Sequence, residues 1–218
     1  MLFRSLTVDY VKSVKKEPVI CKKDVPGFIV NRLFIPMVHE ACWLKQRENL
    51  KMEEIDSAVK FNLGFPMGIF ELADFTGMDV IHKATIELQI RDKKVIFPHP
   101  DVEKLYNEKK LGQKSGEGFY KYSDEKYERV QLDETLAKKC NPISLAANIL
   151  NNAAWLVSNK ASDIAEIEKA AQLGLGLRKP IFDSAKEIGI KNIVNELNSL
   201  AKKYGVFYEP DPLLVSMQ

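Results

Sequence analysis

The stretch DVPGFIVNRLF, residues 24 to 34, sets an amide and a guanidinium side by side, Asn31 and Arg32, in an otherwise apolar run. A buried amide without partners costs on the order of 1–3 kcal/mol, so Asn31 implies either a local hydrogen-bond network or a ligand contact. Arg32 lies about 100° around a helix from Asn31 and has a separate task. It reads as an anchor for an acidic residue such as Glu40, Glu71 or Asp74, with a domain contact or a phosphate as alternatives. Other candidates are weaker. Gly112, Gly116 and Gly118 with Lys114 resemble a phosphate cradle, but no helix follows at once and no Lys-Ser/Thr pair follows the last glycine. That segment reads as a structural turn closed by Phe119 and Tyr120. His39, His82 and His99 show no ligand spacing with Cys or acidic residues, so no metal is expected, and Cys42 beside Trp43 reads as a small core hydrophobe.

The elements that must position these groups read mostly as helices. SLTVDYVKSVK, residues 5 to 15, carries Leu6, Tyr10 and Val14 at helical spacing, and PVICKK after it reads as a strand with no partner downstream. Asp24 as N-cap and Pro26 in the first turn then start a helix to about Gln46 that Pro36 should kink. Further helices are expected at about 52–63, 68–74, 78–90 and 101–109. LGQKSGEGFYKY, residues 111 to 122, reads as an ordered turn with an aromatic plug, and SDEKYERV, residues 123 to 130, as a linker.

The 218 residues hold 32 basic and 30 acidic side chains without a basic cluster, which argues against nucleic acid as a partner. Three cysteines, an odd number without C-x-x-C spacing, fit a reducing compartment, the cytoplasm. The longest apolar stretch, 28 to 44, is broken by Asn31, Arg32, Pro36, His39 and Glu40, so neither a membrane span nor a secretory leader is expected.

A repeat organises the chain. Trp43 and Trp155 stand 112 residues apart, and the same offset pairs Leu63 with Leu175, Gly64 with Gly176, Phe70 with Phe182, Gly77 with Gly189 and Leu88 with Leu200. At an offset of 110, VFYEPDPLLVSMQ matches VIFPHPDVEKLYNE. One half thus serves as a control for the other. Asn31 aligns with Ile143 and Arg32 with Ser144, so the fold itself does not need Asn31.

DVPGFIVNRLFIPMVHEA, the run EEIDSAVKFNLGFPMGIFELADFTGMD from Glu53 to Asp79, and LGQKSGEGFYKY occur in the order found in the 3-hydroxyacyl-CoA dehydrogenases. Over about residues 17 to 122 the chain resembles their C-terminal region. Residues 140 to 218 resemble the degenerate second copy of that domain found in longer members. The resemblance implies a mainly all-α fold, 6-phosphogluconate dehydrogenase C-terminal-like, of two tandem helical domains packed face to face. Residues 1–23 would be a helix–strand remnant of a Rossmann NAD-binding domain, 24–122 the first helical domain, 123–139 a linker with a helix, and 140–218 a truncated second copy. It further implies that the second copy takes the place of a homodimer partner, with oligomerisation through the N-terminal strand edge left open.

The activity implied is NAD-dependent oxidation of a 3-hydroxyacyl-CoA to the 3-ketoacyl-CoA, in fatty-acid β-oxidation or butyrate-type metabolism. Asn31 matches the asparagine that hydrogen-bonds the reacting part of the substrate; its amide can donate to the 3-oxygen without adding charge. Gly64, Phe65, Pro66 and Met67 match a loop near the acyl and pantetheine end, although their types alone serve helix packing and core equally well. Ile69 stands where that family usually has proline, which alters the wall of the pocket. NAD and the catalytic His–Glu pair belong to the Rossmann domain, of which no G-x-G-x-x-G appears here. The chain is therefore expected to be a fragment, inactive alone, with an acyl-CoA substrate, the NAD-binding domain of its own polypeptide and, in related long proteins, a fused enoyl-CoA hydratase domain as partners. The alternative expectation is an independent, non-catalytic helical interaction module.

Overall fold

The computed structural model describes residues 2 to 123 and 126 to 218. The first repeat comprises α2 (Val30–Glu48), α3 (Met52–Asn62), α4 (Ile69–Thr76), α5 (Met78–Arg91) and α6 (Pro100–Asn107), preceded by α1 (Leu2–Ser13). A short hairpin, β1 (Tyr122–Ser123) with β2 (Lys126–Tyr127), and α7 (Glu134–Ala137) follow. The second repeat comprises α8 (Ile143–Ser158), α9 (Ile164–Leu175), α10 (Ile181–Ile188), α11 (Ile190–Tyr204) and α12 (Pro212–Ser216). The starts at Met52 and Ile164, Ile69 and Ile181, Met78 and Ile190, and Pro100 and Pro212 are each 112 residues apart. The 110 offset at the end is thereby corrected: Pro212 opens α12 as Pro100 opens α6, each using a residue whose missing N–H costs nothing in the first turn.

The repeats also share hydrogen bonds. The first backbone N–H groups of a helix have no partner within it and must find one elsewhere. Asp56 of α3 accepts from Phe70 N–H at 2.8 Å and Glu71 N–H at 3.2 Å, closing the start of α4. Glu168 of α9, its counterpart, accepts from Ile181 N–H at 2.6 Å and Phe182 N–H at 2.9 Å at the start of α10. Ile69, in the position usually held by proline, is the first residue of α4 and is fully buried.

The seam between the repeats is α2 against α8. Every residue of α2 from Arg32 to Cys42 is buried, including Leu33, Ile35, Met37 and Val38. They meet Leu145, Ala147, Leu150, Ala153 and Ala154, buried on α8. Each large apolar side chain removed from water contributes about 1.5–3 kcal/mol, and small alanines let the axes approach. The C-terminal segment adds a polar clasp: Tyr208 OH donates to Glu40 Oε2 at 2.7 Å, while Arg47 pairs with Glu40 Oε1. Phe207 stacks on Phe97 with ring centroids 5.0 Å apart. Residues matched by the repeat are thus packed face to face, as expected.

Local expectations are corrected at the start of this helix and at PVICKK. The helix of Asn31 starts at Val30, not Asp24, because Gly27 (φ +74°) and Phe28 (φ +49°) are both left-handed, a conformation no right-handed helix passes through. Gly27 is required on space as well: a Cβ there would stand 2.9 Å from both Arg32 N and Leu88 Cδ2. Pro36 lies within α2, which runs through it to Glu48.

PVICKK forms no strand. Its backbone is satisfied by the turn before α9 instead: Ile20 N–H donates to Glu166 Oε2 at 2.7 Å, Lys22 N–H to Ala161 O at 2.6 Å, and Ser162 Oγ to Ile20 O at 3.0 Å. The α1 stripe is helical as expected, but Leu6, Tyr10 and Val14 are exposed.

The linker-like segment is partly structured. Arg129 pairs with buried Glu71, and its guanidinium lies 4.6 Å above the Tyr127 ring, so residues 126 to 129 are docked on the first repeat. Residues 124 and 125 of that segment lie outside those described. The LGQKSGEGFYKY turn is ordered, as expected: Asp74 accepts from Phe119 N–H and Tyr120 N–H, both at 2.8 Å, and from Tyr122 OH at 2.7 Å. Tyr120 OH reaches Asp56 at 3.0 Å.

A Cβ built at Gly68 would overlap the Asp56 carboxylate. Gly68→Ala is therefore expected to lower stability by about 1–3 kcal/mol, measured as a shift in the urea unfolding midpoint; an unchanged midpoint would mean the cap is not held as described.

Candidate functional site

Asn31 is the second residue of α2, where the backbone has just left the Gly27–Phe28 turn. Its side chain is exposed, not part of the core as its apolar neighbours implied. It lines an open concavity of about 320 Å³ together with Val19, Cys21, Phe28, Ile29 and Ala170. Phe28 stands more than half exposed beside it. Among the described residues no side-chain hydrogen bond holds the Asn31 amide, which leaves both its N–H donors and its carbonyl for an incoming group.

Arg32, one residue on, is 2% exposed. The three acids named for it are engaged elsewhere: Glu40 by Arg47 and Tyr208, Glu71 by Arg129, and Asp74 by the aromatic turn. Its partner is Asp92, just past the end of α5, at 2.7 Å. The flat face of the guanidinium lies on the indole of Trp155 in α8, 3.2 Å from its centroid. Arg32 Nε and Nη1 have no hydrogen-bond partner, so the ring quadrupole is the compensation on that side. Burial draws the guanidinium below its ordinary value, and Asp92 opposes the shift. Arg32 is the anchor that was expected, attached to residues that were not.

Trp155 was visible in the sequence only as the counterpart of Trp43. The two rings do different things. Trp43 stacks on Phe97 of its own repeat at 4.6 Å and donates from Nε1 to the Phe97 carbonyl at 2.8 Å.

The loop Gly64–Met67 is not brought to the Asn31 concavity, whose lining includes none of its residues. Gly64, at φ +76°, accepts from Arg178 N–H at 3.2 Å across the seam. Phe65 is buried and borders a separate apolar cavity of about 30 Å³ with Ile149, Leu177 and Ile181. Pro66 lies against Gly176, where a Cβ would come within 2.8 Å of its ring, and Met67 is half-buried.

The three histidines border one cavity of about 410 Å³. His39 Nδ1 accepts from His99 N–H at 2.9 Å, so its proton resides on Nε2 and is donated to Thr85 Oγ1 at 2.9 Å; that hydroxyl in turn donates to Ile81 O at 2.8 Å. Complete burial pushes His39 down to about 3, helped by the neighbouring His99 and His82.

The fold also brings donor atoms of Cys42, His99 and Asp101 within 4.8 Å of one another, a grouping that their spacing in sequence did not reveal. These atoms are already engaged. His99 Nδ1 accepts from Asp101 N–H at 3.1 Å, Asp101 Oδ2 pairs with Lys45 at 3.0 Å, and burial pushes the Cys42 thiol up, so the thiolate a metal needs is disfavoured.

Comparison with known proteins bears on both repeats. The family model for the C-terminal domain of 3-hydroxyacyl-CoA dehydrogenase matches residues 27–122 and again 144–218. Mitochondrial hydroxyacyl-coenzyme A dehydrogenase of Mus musculus is 46% identical over 123 residues, covering 55% of this chain and 38% of that protein. The fatty acid oxidation complex subunit alpha of Vibrio parahaemolyticus is 30% identical over 225 residues, 94% of this chain and 31% of that protein. The chain thus spans about a third of the length of these relatives. A crystal structure of 3-hydroxybutyryl-CoA dehydrogenase from Escherichia coli superposes with a TM-score of 0.77 at 23% identity, over 98% of this chain and 64% of that one, and so shares the fold.

The His39 geometry has a measurable consequence. Its folded value, about 3, lies below the ordinary 6.5, so between these limits the unfolded chain binds the extra proton. Stability is expected to fall as pH drops from 6.5 towards 3, by at most about 1.4 kcal/mol per pH unit from this one group. Urea unfolding of the chain and of His39→Gln across that range should give a flatter profile for the variant; identical slopes would place the titration elsewhere.

Proposed function

The chain belongs to the 3-hydroxyacyl-CoA dehydrogenase family, whose C-terminal domain it carries twice, and from that membership we propose that it is the substrate side of an NAD-dependent enzyme oxidising 3-hydroxyacyl-CoA to 3-ketoacyl-CoA. The observation that carries the proposal is the Asn31 amide, unbonded among the described residues and lining a concavity from the first turn of a helix that is buried from Arg32 to Cys42. An independent interaction module is not favoured, since the matched relatives are dehydrogenases and fatty-acid oxidation proteins.

In this reading the Asn31 Nδ2–H donates to the 3-oxygen of the acyl-CoA. That oxygen changes from a hydroxyl to a carbonyl as its proton leaves and hydride leaves C3. A fixed neutral donor stabilises the charge developing on it without repelling the cationic hydride acceptor. The base that takes the hydroxyl proton lies outside this chain: His39, His82 and His99 border a different cavity, and two of them are held by hydrogen bonds within the fold.

Among the described residues the only sheet is a two-stranded hairpin, with no parallel strands and no glycine-rich strand-to-helix turn, so these residues do not fit a dinucleotide. NAD, the hydride acceptor, is proposed on a Rossmann domain of the same polypeptide. The loop Gly64–Met67 is proposed at the acyl and pantetheine end of the substrate; Phe65 is buried, and Gly64, Pro66 and Met67 keep accessible surface. A fused enoyl-CoA hydratase domain and further association of chains are proposed on the same family grounds. No helix among the described residues is long and apolar enough to cross a membrane. The three cysteines, an odd number without C-x-x-C spacing, fit a reducing compartment, proposed as the cytoplasm.

Two outcomes are expected. The 218-residue chain should not reduce NAD in the presence of 3-hydroxybutyryl-CoA, followed by absorbance; turnover would place the base and the dinucleotide within it. In a dehydrogenase that joins this chain to the proposed NAD-binding domain, Asn31→Ala should lower kcat by roughly 10²–10³-fold while leaving the unfolding midpoint unchanged, since the side chain is exposed. Retained activity would make Asn31 a surface residue only.

A further inference from the structure

We infer that Trp155, from the second repeat, is a positioning residue for the Asn31 amide, acting through the stacked Arg32 guanidinium. The inference rests on the reading that Asn31 works on the substrate. It assigns to the second repeat, which lacks both Asn31 and Arg32, a part in the chemistry of the first.

Asn31 itself makes no anchoring contact, so the direction of its side chain is set by its backbone and by whatever fixes residues 30 and 32. Both neighbours are held by the second repeat. Arg32 is clamped between the Trp155 ring at 3.2 Å and the Asp92 carboxylate at 2.7 Å. Val30 lies against Gly174 of α9, where a Cβ would come within 2.8 Å of Val30 Cγ2, so only glycine allows that approach. Beneath the turn, Gly27 closes on Arg32 N. Leu33 N–H to Ile29 O, at 3.1 Å, is a bond of the helix at its first turn. Upstream of it the turn has one backbone bond, Phe28 N–H to Val25 O at 3.1 Å, and these side-chain contacts.

The contact is not a requirement of the repeat architecture. Were it one, Trp43 would cover the residue matching Arg32 in the second copy. That residue is Ser144, buried with its hydroxyl unpartnered, and Trp43 is stacked on Phe97. The cation–ring contact exists in one direction only, toward the copy that has the exposed amide.

The test uses a dehydrogenase that joins this chain to the proposed NAD-binding domain, with Asn31→Ala as reference. Trp155→Leu removes the ring face but keeps an apolar side chain. It is expected to lower kcat by about 10- to 100-fold, the scale of a small misplacement of a catalytic group, with KM for the acyl-CoA within about twofold. Trp155→Phe, which restores a face, should recover most of the loss. Wild-type kcat in Trp155→Leu beside a crippled Asn31→Ala would overturn the inference, as would a Trp155→Phe variant no better than Trp155→Leu.

If Asn31→Ala is itself fully active, the functional reading has failed, and amide hydrogen exchange in the 218-residue chain decides the positioning claim alone. Exchange at Leu33 and Phe34 should be at least about tenfold faster in Trp155→Leu, with α11 unaffected. Equal rates would defeat the claim. Should Trp155→Leu not fold, Arg32→Lys keeps the charge opposite Asp92 but offers the ring no planar face, and the same expectations apply.

Discussion

A guanidinium taken out of water loses several kcal/mol of hydration, and Arg32 is almost wholly enclosed. Its burial is tolerable because one edge meets Asp92 and one face meets Trp155. Those two partners come from different repeats, so a single side chain ties the end of α5 and the last turn of α8 to the start of α2. Removing Asp92 would leave the charge without a counter-ion, at a cost of about 3–5 kcal/mol, and removing the ring would forfeit about 0.5–2 kcal/mol. The approach of α2 to α8 depends on this arrangement, because a differently set helix would strand the charge. The apolar side chains between the helices contribute most of the attraction; Arg32 and its partners determine the register.

The duplication separates what the fold needs from what the site needs. Asp56 and Glu168 do the same work in both halves, each closing the start of the following helix, and that device belongs to the fold. Asp74 has Lys186 as its counterpart, because Asp74 holds the aromatic turn of residues 111 to 122, for which the described second repeat has no equivalent. Asn31 and Ile143 form the third kind of pair. A polar group with no hydrogen bond among the described residues stands in one half, and an apolar residue stands at the matching position of the other.

Much of this was legible before the coordinates. Helical periodicity and glycine punctuation located α3 to α6 within a few residues, and the offset of 112 anticipated the starts of α9, α10 and α11, while α12 was matched at 110 instead. What failed did so for identifiable reasons. Asp24 and Pro26 look like a helix start, but two consecutive left-handed residues follow, and propensity does not foresee them at a phenylalanine. The β-branched run PVICKK looked like a strand because its partners are a carboxylate and a loop carbonyl more than a hundred residues away. Asn31 looked buried because the stretch 28 to 44 around it is mostly apolar, yet its side chain is exposed in the first turn of α2. Asp92 could not be singled out from the acids nearby; only the path of α5 makes it the one within reach.

The one-sided stacking of Trp155 on Arg32 has a consequence for how such a protein can change over time. In an assembly of identical subunits about a two-fold axis, any substitution appears on both sides of the interface at once, and each must serve both tasks. Fusing the two halves into one polypeptide removes that obligation. One half can present Asn31 and Arg32 while the other, with Ile143 and Ser144 at the matching positions, supplies the tryptophan that lies over Arg32.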